Sequence, residues 1–252
     1  MARKQAAKAA PARVGSVALS VPSTFAQYKT LLAKDLQQEF RTKEMLTSMG
    51  IYALLVLIVY GASLGQTAQA TDVLQISGGL LWALIVFTSL LGLNRSFGHE
   101  KEQGCMEGIL LVPMDRSVIF LAKATSNLLF LLVVEVVAVP LFWFFFLTTA
   151  TPGPDFMLMV APLLVGTIGV AGIGTLLSTI TVNTRGKDVM LAVLFVPLIF
   201  PLLYACASAT TAVVVGSEGY FDVFVQSLAL AGGYDVIMLL LSWVLYDFVI
   251  SA

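Results

Sequence analysis

Six predominantly apolar stretches, at residues 46–65, 73–93, 124–147, 157–182, 189–215 and 225–250, constrain this chain more than any other feature. Each reaches the roughly 20 residues that a helix needs to cross the hydrocarbon core of a bilayer. Lipid offers backbone groups no hydrogen-bond partner, so such segments satisfy their own N–H and C=O groups as helices. The expected fold is therefore an all-α integral membrane bundle of six transmembrane helices. Composition agrees: 58% of the residues are hydrophobic and 12% charged, against about 45–50% and 25% in soluble domains. No internal repeat is visible.

The polar remainder sets the organisation. Residues 1–24 carry Arg3, Lys4, Lys8 and Arg13 with no acid and read as a disordered basic tail. The apolar run at 14–21 is too short and too broken for a signal peptide. From Phe25 the pattern turns helical: Phe25, Tyr28, Leu32, Leu36 and Phe40 recur every three or four residues among Lys29, Lys34, Asp35, Glu39, Arg41 and Lys43. This predicts an amphipathic helix lying in the membrane interface, its apolar stripe among the headgroups. Residues 25–252 then form one six-span transmembrane domain.

Basic residues orient it, because Lys and Arg near span ends are retained in the cytoplasm. Eight of the fourteen precede the first span, four lie in 94–123, and Arg185 and Lys187 separate the fourth and fifth spans. The other three connections contain Asp72, Asp155, Glu218 and Asp222 but no Lys or Arg. Both termini and the loop 94–123 are thus expected in the cytoplasm.

That loop, NRSFGHEKEQGCMEGILLVPMDRSVIFLAK, holds the only histidine, His99, and much of the chain's charge. Gly104 and Pro113 bracket a helix of about two turns at 105–112, with Met106, Ile109 and Leu110 on one face and Glu107 beside them. A helix so short is marginal alone. It packs either back on its own bundle or on a cytoplasmic protein.

Two carboxylates fall inside the spans. Glu135 lies ~18 Å along the third span and Asp235 ~15 Å into the sixth from the opposite side, taking 1.5 Å per residue. At this matched depth they form either an ion or cargo pathway or hydrogen bonds to neighbouring helices. Gly166, Gly169, Gly172 and Gly174 in the fourth span favour close helix packing. Pro197 and Pro201 in the fifth remove backbone donors one turn apart and predict a kink or break.

The sequence contains no phosphate-binding GxxxxGK[ST] loop, no HExxH and no GxSxG. The chain is accordingly expected to be non-catalytic, to bind no metal or cofactor directly, and to engage no nucleic acid. Cys105 and Cys206 fall at different depths and are not expected to pair.

The stretches KDLQQEFRTKEML, LLWALIVFTSLLGLNRSFGHEKEQGCMEGILLVPMDRSVIFLAK, VEVVAVPL and FVPLIFPLL resemble the CcmB family, the haem-exporter B permeases of cytochrome c maturation. The similarity runs from about Leu31 to the end. It is most specific from Trp82 to Lys123, including the spacing of Gly104 and Gly108. The resemblance implies an outline like that of ABC-2 exporters, placed in the bacterial inner membrane. Its implied partners are a second copy of itself, a separate cytoplasmic ABC ATPase that holds ATP and Mg, a small membrane subunit and haem-handling membrane subunits. It further implies that the loop between spans two and three engages the ATPase. That assigns the contact to Glu100, Glu102, Gly104, Met106, Glu107, Ile109, Leu110 and Pro113. Haem, by the same resemblance, is held on partner subunits; Trp82, Trp143 and Trp243 are too scattered for a tryptophan-rich haem-handling signature. Two other classes remain open from the residues: a general ABC exporter of lipid, polysaccharide or drug, and an ion-coupled carrier using Glu135 and Asp235.

Overall fold

The computed structural model describes residues 23–64, 70–102, 116–147, 156–181 and 186–251. Its helices are α1 (Thr24–Thr42), α2 (Glu44–Leu64), α3 (Ala70–Glu102), α4 (Arg116–Phe146), α5 (Val160–Thr181), α6 (Lys187–Val215) and α7 (Tyr220–Ser251). A single 3₁₀ turn at Phe156–Met159 leads into α5, and no strand occurs among the described residues. Six helices, α2 to α7, are long and apolar enough to cross a membrane. The basic tail assigned to 1–24 lies outside the described residues, apart from Ser23 and Thr24.

Local chemistry sets the first corner. The Ser23 hydroxyl caps α1 by accepting from Ala26 N–H at 3.4 Å, satisfying one of the donors a helix start leaves open. Lys43 ends α1 in the left-handed conformation (φ 54°), uncommon for a non-glycine residue, and donates its N–H to Glu39 O. One residue later α2 begins. The Glu39 carboxylate accepts from Leu46 N–H at 2.8 Å, so a side chain of α1 caps α2.

Burial divides the spans into two kinds. In α3 and α5, 61% and 56% of the most apolar window is buried; in α2 and α7 only 22% and 17% is. The former pair is central, and the latter presents wide apolar faces such as Val236, Ile237, Leu240 and Leu241 to the bilayer. α3 packs most extensively on α6, and α7 packs on α5 and α6.

Close approach to α5 is possible because side chains are missing from it. A Cβ on Gly166 would strike the Trp82 ring of α3; one on Gly169 would strike Asp235 of α7 and Leu202 of α6. Gly172 and Gly174 face Leu239 and Leu93 in the same way. Buried hydroxyls along α5 turn back on their own helix: Thr167, Thr175, Ser178, Thr179 and Thr181 each donate to the carbonyl four residues earlier, which leaves few polar groups facing apolar neighbours.

Three features differ from the sequence expectation. α3 and α4 extend beyond the apolar stretches, so residues 94–102 and 116–123 are helical rather than loop. Of the kink or break expected at Pro197 and Pro201, the break does not occur, since α6 is one helix through both, and Tyr234 of α7 donates to the Leu198 carbonyl beside Pro197. Finally, α1 turns a largely polar face to the bundle: Gln27, Leu31, Asp35 and Glu39 are buried, while Phe25 and Phe40, the ends of the expected apolar stripe, are exposed.

Candidate functional site

The candidate site is the end of the bundle where the chain leaves α3 and returns on α4. At ~1.5 Å per residue, the 33 residues of α3 and the 31 of α4 measure ~50 and ~46 Å, well above the ~30 Å of a hydrocarbon core. Both helices are long enough to protrude. Glu100 and Glu102 lie on the last turn of α3. Gly104, Met106, Glu107, Ile109, Leu110 and Pro113, with the short helix expected at 105–112, lie outside the described residues.

Seven residues in from their ends at Glu102 and Arg116, α3 and α4 are tied to the α1–α2 corner. On α4, Lys123 Nζ lies 2.9 Å from Asp35 Oδ2 of α1, and both side chains are over nine-tenths buried. Ser126 Oγ approaches the same oxygen at 3.3 Å, and Lys34 Nζ lies 3.2 Å from Oδ1. On α3, Arg95 Nη1 meets Glu44 Oε1 of α2 at 2.6 Å in an exposed pair. Around the buried pair, Leu31, Ile119, Phe120, Ala122, Leu176 and Tyr246 form a small second core. The Phe120 and Tyr246 rings there have centroids 5.1 Å apart.

Sequence reasoning missed these ties. Asp35 and Lys123 are far apart in the chain, and pairing is a tertiary event. A local signal was nonetheless present: Lys123, Ser126 and Asn127, spaced by three and four, form a polar stripe just inside the third apolar run. Gln27, Leu31, Asp35 and Glu39 share the matching spacing on α1.

The intramembrane carboxylates meet different surroundings. Glu135 of α4 lies 2.7 Å from Thr167 Oγ1, and that hydroxyl is also 2.6 Å from Leu163 O. The single Thr167 hydroxyl hydrogen is thus shared between the Glu135 carboxyl oxygen and the Leu163 carbonyl. Eight residues along each helix, about two turns away, Asn127 Nδ2 donates to Thr175 Oγ1 at 2.9 Å. Asp235 of α7 lies against Gly169, and its buried Oδ1 has no hydrogen-bond partner among the described residues. Thr167 and Gly169 are two residues apart, about 200° around α5 at 3.6 residues per turn. The two carboxylates therefore sit at a similar level on opposite sides of one helix.

Trp82 belongs to the core, where it is fully buried and donates from Nε1 to Thr210 Oγ1 at 3.0 Å. Trp243 is exposed on α7, and Cys206 is a buried free thiol. Among the described residues, no three His, Cys, Asp or Glu side chains gather as a metal site. What the loop end offers is mechanical: two long helices, joined by 103–115, whose feet are fastened to a common corner.

Six apolar helices, the glycine-lined α5 among the most buried of them, define a multi-pass helical membrane protein. Residues 26–247 match the family described as CcmB protein; the chain belongs to the CcmB family. It is 28% identical over 206 residues to heme exporter protein B of Pseudomonas aeruginosa, covering 81% of this chain and 90% of that one. The protein of the same name from Paracoccus denitrificans is 27% identical over 205 residues, covering 81% and 91%. That from Rhodobacter capsulatus is 26% identical over 175 residues, covering 69% and 78%.

Proposed function

We propose that this chain is the permease subunit of an ATP-driven complex in the bacterial inner membrane that serves cytochrome c maturation by exporting haem or by releasing a haem-loaded periplasmic chaperone. The observation that carries the reading is the family match over 26–247, together with relatives named heme exporter protein B that align along about nine-tenths of their own length. The concentration of Lys and Arg at the loop end supports its placement in the cytoplasm.

In this reading a separate ABC ATPase binds ATP and Mg and docks on the loop, with Glu107, Ile109 and Leu110 in the contact and Gly104 and Pro113 setting the helix ends. Closure of the ATPase on nucleotide displaces 103–115. The protruding parts of α3 and α4 carry that displacement into the bundle, because a continuous helix resists bending better than a loop. The complex contains a second copy of this chain, a small membrane subunit and haem-handling membrane subunits, and haem is its cargo or the cargo of those partners. The separation of Glu135 and Asp235 across α5 favours this coupling over a single carboxylate pathway.

The test is purification of the tagged chain from its native membrane in mild detergent, with co-purifying proteins identified by mass spectrometry. A permease-deficient strain is complemented in parallel. A stoichiometric ATPase with haem-handling subunits, and restored cytochrome c formation, is the expected result. The ATPase alone, without restoration, would point to a general exporter. An active transporter with no ATPase would overturn the reading.

A further inference from the structure

The α1–α2 corner makes polar contacts to both of the helices that flank 103–115. It provides an acid to each of them: Asp35 to Lys123 on α4, buried at 2.9 Å, and Glu44 to Arg95 on α3, exposed at 2.6 Å. The corner between those acids is stiff. Only Lys43 separates the two helices, its N–H bonded to Glu39 O and its carbonyl accepting from Thr47 N–H at 3.1 Å. The Glu39 side chain then reaches across to Leu46 N–H. A buried ion pair adds little net stability over a packed apolar pair, since both ions lose water. A fixed geometry is what such a pair offers in exchange.

We infer that Asp35, Glu44, Arg95 and Lys123 form a positioning brace, in which the α1–α2 corner holds α3 and α4 at a set spacing about two turns from their ends at Glu102 and Arg116 and passes their displacement to α2. The inference rests on the docking reading, since it assumes that a partner moves the loop. Neither half of the brace is sufficient by itself. The Lys123 tie fixes α4 to α1, the Arg95 tie fixes α3 to α2, and the capped corner joins the two ties. α3 and α4 also pack on each other and on α2; the corner adds directional ties near the end of the bundle where the partner acts.

The exposed pair makes the brace testable without endangering the fold, because an ion pair this accessible contributes little to stability. The experiment uses the whole complex, purified with the wild-type chain, E44R, R95E or the E44R/R95E exchange. Three quantities are read at matched assembly: ATPase retained, ATP hydrolysed, and cytochrome c formed per ATP hydrolysed. Each single reversal is expected to retain the ATPase yet lower cytochrome c per ATP about fivefold, the lower end of coupling between linked sites. The exchange restores it. A role confined to stability would change the amount of complex and leave that ratio untouched. The buried arm gives a second reading through D35K, K123D and the D35K/K123D exchange, with rescue expected only in the double variant.

Single reversals equal to wild type in this ratio, or an exchange no better than either single, overturn the brace and leave docking intact. A wild-type chain that retains no ATPase overturns the docking reading, and the brace with it.

Discussion

The middle of the bundle and its loop end are held together by different physics. Around α5 the contacts depend on shape: glycines let Trp82, Leu93, Leu202 and Leu239 approach the helix backbone, and hydroxyls bond within their own helix. At the loop end they depend on direction: Asp35 receives Lys34, Lys123 and Ser126, and Glu44 receives Arg95. Close packing is intolerant of added volume, whereas an ion pair is intolerant of losing one partner.

The largest stability effect is expected from Lys123→Met, which leaves Asp35 buried with only the partly exposed Lys34 as counter-charge. A loss of about 3 kcal/mol is expected, measured as a lower apparent melting temperature in detergent; an unchanged melt would mean the pair is not buried in the assembled protein. Gly166→Ala comes next, because its methyl meets the Trp82 ring. It is expected to cost about 1–3 kcal/mol, while Gly79→Ala, where nothing lies within 4 Å, leaves the melt nearly unchanged. Equal melts for the two glycine variants would break the account of the centre.

Smaller still is Thr167→Val, which removes the Glu135 partner. Polar contacts between membrane helices average about 0.6 kcal/mol, so a shift near that size sharpens the view that shape dominates the centre. Arg95→Ala is expected to change stability by less than about 1 kcal/mol, with what effect there is fading as salt is added. Glu107→Ala with Leu110→Ala tests the loop itself. Membrane insertion and melting are expected to stay at the wild-type level while retention of the ATPase falls; unchanged retention removes the docking assignment.

Much of the architecture was legible because the bilayer is a demanding solvent. The apolar stretches 46–65 and 189–215 fall within two residues of α2 (Glu44–Leu64) and α6 (Lys187–Val215), and 157–182 matches α5 together with the 3₁₀ turn that leads into it. The same reasoning ended the second and third spans too early at the loop. Hydropathy drops where the membrane ends, but residues such as Glu100, Lys101 and Glu102 are good helix formers in water, so α3 runs on to Glu102. On α1 the periodic stripe was legible and its use was not: periodicity identifies two faces and does not say which one meets the bundle.

The amino-acid sequence by itself determined that this chain spans a membrane six times as helices, and that its charge gathers at one end. Those follow from the cost of exposing backbone and charge to hydrocarbon, a cost each segment meets alone. Only the tertiary structure decided that Asp35 meets Lys123, that Arg95 meets Glu44, and that Glu135 and Asp235 fall on opposite sides of α5. Such pairings depend on the rotation of each helix about its axis, and that rotation is set by how all the neighbours pack.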